Sequence, residues 1–274
     1  EGWVKYMTVV AEELIVVAQR KPGELIFFDI TDEVFHSIAV PYFSLETDYA
    51  EIRADITKRC DSDWLRHAAE SAKGIAILKQ DEWEALFSFI VSQNNNIPRI
   101  RKIIRELSAQ YGVNICLQRR IPKCPLGKIS ATPCEELCKS CGSCYSFPKA
   151  SDIVSNPEKM LPTKPGFRYK YLLCAAERVA SGETDLSTIA EKKSYAHTVE
   201  ELKKIKGVGD KVASCAALFG FGNLEAFPID VWMKRALEKY FPDGIDLVAL
   251  GKNAGIAQQY LFYYERYLQS KSED

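Results

Sequence analysis

Residues 204–221, KIKGVGDKVASCAALFGF, place a Gly-x-Gly turn between two segments of helical periodicity. Gly207 and Gly209 permit a tight turn with positive φ and leave backbone N–H groups open. With the N-terminus of the following helix, those groups predict an anion site suited to a phosphate. Lys211 lies in the first turn of that helix, where the helix dipole disfavours a cation. The helix end and the apolar neighbours therefore favour a neutral, nucleophilic amine.

A second ionisable residue lies in the next apolar segment, FPIDVWMKR. Asp230 follows Pro228 and precedes a helical pattern, so it is placed to cap that helix. Cys215 lies four residues after Lys211, on the same helix face. An exposed lysine or an N-cap aspartate is an ordinary structural feature when it occurs alone. The joint arrangement of turn, lysine and capping aspartate favours a catalytic pair.

The rest of the chain predicts an α+β fold with two domains. Residues 3–39 have a strand-like pattern interrupted by polar turns, which indicates a small antiparallel sheet. Helical spacing begins near residue 48 and is the only periodicity from Asp81 onward. We predict an N-terminal β-sheet domain at 1–78, truncated at its start, and a helical domain at 79–274.

Composition excludes a membrane protein and gives no general argument for nucleic acid. The chain has 274 residues, 47% hydrophobic and 27% charged, and its longest apolar runs are too short to span a bilayer. The formal net charge is −1, so DNA binding would depend on local clusters of lysine and arginine. We expect a cytoplasmic monomer that contacts no membrane and is associated with the nucleoid if it is bacterial.

A cysteine-rich insertion at about 114–148 interrupts the helical pattern. The chain has nine cysteines, an odd number, and their clustering argues against a secreted disulfide framework. Thiolates at chelating spacing suit a structural zinc or an iron–sulfur cluster, with reduced thiols or a disulfide as the alternatives. The candidate ligands are Cys134, Cys138, Cys141 and Cys144, with Cys124 as a substitute.

These motifs together resemble those of the helix-hairpin-helix DNA glycosylases, and specifically the 8-oxoguanine DNA glycosylase/AP lyase family. GVGDKVASC and PIDVWMKR match the family's catalytic pair, and LFSFIVSQNNNIPRIRKII matches its triple-asparagine helix start. KPGFRYKYL, with the preceding YSFP, matches the segment that reads the opposite base, and AGIAQQYLF matches the base-pocket helix. The resemblance covers about Asp81 to Tyr264 apart from the insertion.

The resemblance implies a bifunctional repair enzyme that needs no catalytic cofactor and acts on double-stranded DNA containing 8-oxoguanine. Lys211 would attack C1′ and form a Schiff base that permits β-elimination, while Asp230 would stabilise positive charge on the sugar. The target base must leave the duplex to be reached. Gln258 and Phe262 would contact the flipped base and Cys215 would line the opposite wall, although a buried Phe on a C-terminal helix is ordinary.

Four further residues would act on the orphan base, with cytosine preferred. Asn94 would fill the vacated stack, Phe167 would wedge beside the base, and Arg99 with Arg168 would hydrogen-bond it. The ordinary alternatives are a polar helix N-cap, which suits Asn96, a loop aromatic and a solvated charge.

The sequence departs from the family in three places. Trp232 stands where better-known members have a histidine that contacts the DNA backbone, so the same ionic contact is not expected. Phe167 replaces a common tyrosine, which should preserve wedging. The family's segment that senses the N7 hydrogen of the lesion would lie upstream of Glu1. Two other functions stay open: a monofunctional alkylated-base glycosylase, which needs no Lys211, and a non-catalytic DNA-binding module.

Overall fold

The computed structural model describes residues 5–21, 23–118 and 144–272. The chain forms two compact units, each built from separate stretches of sequence. The first comprises Glu1–Tyr42, Phe87–Asp185 and Ile205–Gly207, and the second comprises Phe43–Leu86, Leu186–Lys204 and Val208–Asp274. The domain division that we predict at 78/79 stays a prediction.

The first unit begins with a three-stranded antiparallel sheet in the order β1-β2-β3, as the strand pattern predicts. Its strands are β1 (Lys5–Val10), β2 (Glu13–Lys21) and β3 (Glu24–Phe28). Ala11 and Glu12 form a two-residue turn with both φ values positive, the geometry that matches the twist of a hairpin. The central strand buries its middle, from Ile15 to Ala18.

Residues 32–42 are helical, so the prediction of strand structure as far as residue 39 is wrong. Short α-helical turns flank a π-helix at Phe35–Ala39. Thr31 caps this segment, because its hydroxyl accepts a hydrogen bond from Val34 N at 3.3 Å. The acidic residues Asp32 and Glu33 then lie in the first turn. These local signals outweigh the alternating apolar pattern.

The remaining helices account for most of the described chain. In chain order they are α1 (Tyr49–Arg59), α2 (Asp63–Ser71), α3 (Glu82–Ser92), α4 (Ile97–Tyr111), α5 (Ile115–Gln118), α6 (Ala150–Ser155), α7 (Tyr169–Ala180), α8 (Leu186–Glu191), α9 (Tyr195–Lys203), α10 (Asp210–Phe219), α11 (Val231–Tyr240), α12 (Leu247–Leu250) and α13 (Ala254–Ser272). Short 3-10 turns lie at Pro157–Thr163, Gly166–Arg168 and Gly251–Asn253. Among the described residues, no helix has both the length and the apolar character needed to cross a membrane.

A short hydrogen-bonded stem closes the cysteine-rich insertion in the first unit. Asn114 pairs with Tyr145 as an antiparallel bridge, and Ile115 N donates to the Cys144 carbonyl at 2.8 Å. Ser146 N donates to the Val113 carbonyl at 2.9 Å. The insertion therefore leaves and rejoins the helical part of this unit at adjacent positions.

The second unit is built around α13, which packs against α2 and α11. Tyr260 of α13 is fully buried in an apolar core shared by these helices. Gly255 allows the start of α13 to approach residues 224–226 closely, since a Cβ there would lie 2.7 Å from the Ala226 carbonyl oxygen. Helices α9 and α10 pack together and flank the Gly-x-Gly turn along the chain. The C-terminal helix therefore packs against the helix that follows Asp230 and against the segment that precedes it.

Candidate active site

Asp230 is the N-cap of α11, as its position in the sequence predicts. Its backbone is extended, and Oδ1 accepts a hydrogen bond from Met233 N at 2.8 Å. The residue is half-buried. Because the cap hydrogen bond restrains one carboxylate oxygen, the orientation of the carboxylate is set by the backbone of its own helix.

Lys211 lies in the first turn of α10, one turn before Cys215, whose side chain is only 6% exposed. Burial raises the pKa of the Cys215 thiol to about 11. The Lys211 charge and a side-chain hydrogen bond from Lys211 act against that rise, and the negative charge of Asp230 adds to it. Lys211 and Asp230 therefore both interact with Cys215 in the second unit. The thiol stays protonated at neutral pH, so it can form a neutral wall rather than a competing nucleophile.

The predicted base-pocket residues lie on α13 in the same unit. Gln258 is buried; its Nε2 donates to the Pro228 carbonyl at 3.1 Å, and its Oε1 accepts from Gln259 Nε2 at 2.6 Å. Since Pro228 is two residues before Asp230, Gln258 ties α13 to the segment that carries the carboxylate. Phe262 is half-buried one turn later and packs against the apolar core.

Apolar side chains flank Asp230 along the chain. Ile229 and Val231 are exposed, and Trp232 lies at the exposed edge of the first turn of α11. The guanidinium carbon of Arg235 is 5.6 Å from the centroid of the Trp232 ring. The position where the family has a histidine thus presents an aromatic face beside a cation.

Asn94 and Phe167 are both exposed in the first unit. Asn94 follows α3 with φ of 46°, a left-handed conformation that asparagine tolerates better than most residues. Asn96, two residues later, caps α4 by accepting from Arg99 N at 3.0 Å, as its alternative role predicts. Phe167 lies in the Gly166–Arg168 turn with 48% of its surface exposed.

The structure brings Arg99 and Arg168 together, and backbone carbonyls occupy their donors. Arg168 is only 2% exposed; its Nε donates to the Gln93 carbonyl at 2.7 Å and its guanidinium also donates to Asn94 O at 2.8 Å and Pro165 O at 3.2 Å. Arg99 donates to the Lys164 carbonyl at 3.2 Å. Burial lowers the pKa of Arg168, and the nearby charge of Arg99 lowers it further.

The two glycines of the turn have different conformations. Gly207 has φ of 89°, and a Cβ there would lie 2.3 Å from Cγ of the Tyr171 ring, so both conformation and space require glycine. Gly209 has φ of −100° as the N-cap of α10, with nothing within 4 Å of an added Cβ. Both glycines permit a positive φ, and only Gly207 adopts one; Gly209 has an extended backbone that suits any N-cap residue.

The metal prediction concerns mostly residues outside the described part of the chain. Cys124, Cys134, Cys138 and Cys141 lie there, whereas Cys144 is buried beside Cys116 in contact with Met7 and Leu14. Among the described residues, no three His, Cys, Asp or Glu side chains are grouped to hold a metal. The zinc or iron–sulfur site stays a prediction, which elemental analysis of the reduced protein tests.

Gln93 is a residue of this region that the sequence pattern did not single out. Its Nε2 donates to the Gly207 carbonyl at 3.0 Å, while its own carbonyl accepts from Arg168. The only signal in the sequence is a polar residue at the end of an apolar helix, just before the three asparagines. Such residues are common at helix ends, so the pattern carried little information.

Comparison with known proteins identifies the family of this chain. The family model described as the N-terminal domain of 8-oxoguanine DNA glycosylase matches residues 2–86. A structure of MBOgg1 in complex with a low-affinity DNA ligand superposes with a TM-score of 0.81 and 34% identity, covering 97% of this chain and 86% of that one. The chain belongs to the 8-oxoguanine DNA glycosylase/AP lyase family.

Other members of this glycosylase family are similar over most of the chain. A Clostridium acetobutylicum 8-oxoguanine glycosylase/lyase, solved with double-stranded DNA containing cytosine opposite 8-oxoguanine, has 30% identity and a TM-score of 0.78, covering 97% of this chain and 86% of its own. The N-glycosylase/DNA lyase of Saccharomyces cerevisiae is 25% identical over 241 residues, or 82% of this chain and 58% of the yeast protein. The chain therefore spans less than two thirds of the yeast protein's length.

Proposed function

We propose that this glycosylase family member is a bifunctional repair enzyme. It removes 8-oxoguanine from double-stranded DNA, preferably opposite cytosine, and then cleaves the abasic strand, acting as a monomer. The observation that carries the proposal is the interaction of Lys211 and Asp230, each at the start of a helix, with the same buried thiol of Cys215. The Clostridium relative, described as an 8-oxoguanine glycosylase/lyase, supports the substrate.

In the proposed reaction, the Lys211 amine attacks C1′ of the damaged nucleoside, and the base leaves with the electrons of the glycosidic bond. Opening of the sugar then gives a Schiff base between Nζ and C1′. Loss of a C2′ proton allows β-elimination, which breaks the C3′–O bond and expels the 3′ phosphate. The Asp230 carboxylate stabilises the positive charge of the oxocarbenium-like transition state. Its cap hydrogen bond holds the carboxylate in place before substrate arrives.

The remaining residues have proposed roles on the two separated bases. Gln258 provides an amide for the edge of the flipped base and Phe262 provides a ring for its face, with neutral Cys215 on the other side. On the opposite strand, Asn94 and Phe167 occupy the vacated stack, and the exposed Arg99 donates to the N3 and O2 acceptors of cytosine. Arg168, whose donors are held by the carbonyls of Gln93, Asn94 and Pro165, positions these residues. Gly207 and Gly209 place backbone N–H groups toward a DNA phosphate.

Borohydride trapping on DNA containing 8-oxoguanine tests the proposal. The wild type should form a covalent complex, and Lys211→Gln should abolish trapping and strand cleavage while DNA binding survives. Lys206→Gln is the matched control, because it removes an exposed lysine of the same turn and should still trap. Trapping by Lys211→Gln would assign the nucleophile to another amine.

The same duplexes distinguish the alternative functions. Base release without a trapped complex would indicate a monofunctional glycosylase, and binding without base release would indicate a non-catalytic DNA-binding module. Rates with 8-oxoguanine opposite each of the four bases measure the proposed preference for cytosine.

A further inference from the structure

Gln93 connects the Gly-x-Gly turn to the residues proposed to enter the duplex. Its side-chain Nε2 donates to the Gly207 carbonyl at 3.0 Å. Its backbone carbonyl accepts from Arg168 Nε at 2.7 Å. One residue thus holds the turn with its side chain and the arginine with its main chain.

Three aromatic contacts close this connection into a ring. The Arg168 guanidinium carbon lies 4.5 Å from the centroid of the Phe167 ring, and the Phe167 and Tyr171 rings meet edge to face at 6.2 Å. The Tyr171 ring fills the space where a Cβ of Gly207 would be. We call this set the hairpin clamp, defined by Gln93, Phe167, Arg168, Tyr171 and Gly207. All five residues belong to the first unit.

The hairpin clamp also restrains the left-handed turn at Asn94. Asparagine tolerates the φ of 46° better than most residues, and a hydrogen bond to its carbonyl stabilises that conformation. Arg168 supplies that restraint, because its guanidinium donates to the Asn94 carbonyl at 2.8 Å and to Pro165 O, just before Phe167, at 3.2 Å. The conformation of both proposed intercalating residues therefore depends on the same guanidinium.

We infer that Gln93 is a positioning residue that makes Gly207 of the phosphate-binding turn, Asn94 and Phe167 move as one body. Contact of the turn with a phosphate then sets how far Asn94 and Phe167 enter the duplex. This inference rests on the proposed function, since it concerns base extrusion in that reaction. Loss of the Gln93 side chain leaves the Arg168 contacts intact, because those use the Gln93 main chain. It releases only the hydrogen bond from Gln93 to Gly207, while the contact of the Tyr171 ring with Gly207 remains.

Gln93→Met tests the inference, since it keeps the length of the side chain and removes the donor. Tyr111→Phe is the matched control. It removes one long-range hydrogen bond in the same unit, from Tyr111 OH to the Asn156 carbonyl at 2.7 Å. Neither residue belongs to the hairpin clamp. Two rates are measured for each variant at saturating enzyme. The first is single-turnover release of 8-oxoguanine opposite cytosine and opposite adenine, and the second is borohydride trapping on DNA with a preformed abasic site. Fluorescence of 2-aminopurine beside the lesion reports base extrusion.

We expect Gln93→Met to slow base release and extrusion by about 5–10-fold, the factor that corresponds to one net hydrogen bond. The ratio of the base-release rate opposite cytosine to the rate opposite adenine should fall as well. Trapping on the abasic duplex should stay within about twofold of wild type, because no base has to be extruded there. Tyr111→Phe should leave all three measurements unchanged.

Equal rates of base release and equal base extrusion in Gln93→Met and Tyr111→Phe would overturn the inference. A parallel loss of trapping on abasic DNA by Gln93→Met would also overturn it, since the residue would then be supporting the fold generally. Failure of the wild type to trap on either duplex would instead refute the proposed function and is distinguishable from both results.

Discussion

The two roles of Asp230, in structure and in catalysis, can be separated by comparing Asp230→Asn with Asp230→Ala. The carboxylate caps α11 through Met233 N at 2.8 Å. Asparagine caps about as well as aspartate, whereas alanine at an N-cap costs about 1 kcal/mol. For a protein of this size, that cost lowers the Tm by about 2–4 °C. Asparagine loses only the interaction of the charge with the helix dipole, about 0.3–1 kcal/mol, and alanine loses that interaction in addition to the cap.

Catalysis should respond differently from stability. Both variants lack the negative charge opposite the developing oxocarbenium, so both should release 8-oxoguanine about 10²–10³-fold more slowly. We therefore expect similar rates for the two variants but a lower Tm for Asp230→Ala. Thermal unfolding and single-turnover base release measure the two quantities.

Asp48 provides the matched control for this experiment. It caps α1 in the same unit, with Oδ1 accepting from Ala50 N and Glu51 N, both at 2.9 Å. Asp48→Ala should lower the Tm to a similar extent and leave the rate of base release unchanged. Base release by Asp230→Asn at the wild-type rate would refute the electrostatic role of the carboxylate. Equal losses of Tm in Asp230→Asn and Asp230→Ala would refute the cap argument.

Three further substitutions test the Gly-x-Gly turn and the proposed contacts with DNA. Gly207→Ala should lower the Tm and weaken DNA binding, since positive φ costs about 1–2 kcal/mol and the new Cβ meets the Tyr171 ring. Gly209→Ala should lower the Tm less, because its added Cβ meets nothing within 4 Å. A larger loss of Tm for Gly209→Ala than for Gly207→Ala would contradict the argument. If a DNA phosphate lies beside residue 232, Trp232→His should steepen the slope of log Kd against log salt concentration by about 0.9 at pH 6, where histidine is charged. An unchanged slope in a binding titration would place the phosphate elsewhere.

Local chemistry explains which structural predictions succeeded. The Asp230 and Asn96 caps depend on side chains bonding to backbone a few residues away, so their positions follow directly from sequence. The antiparallel sheet follows from strand periodicity and short turns. The helical segment at 32–42 was missed because its apolar residues alternate as in a strand, while the Thr31 cap signal is short.

The fold class, the family resemblance and the order of the candidate residues follow from the sequence, because periodicity, caps and motif spacing are encoded over short distances. The way in which distant residues are combined depends on the tertiary structure. It places Arg168 on the carbonyls of Gln93 and Asn94, and Gln93 on the carbonyl of Gly207, across 75, 74 and 114 positions of sequence. Backbone carbonyls are the acceptors in each case, and every residue carries one, so no pattern of side chains could have indicated which of them would be used.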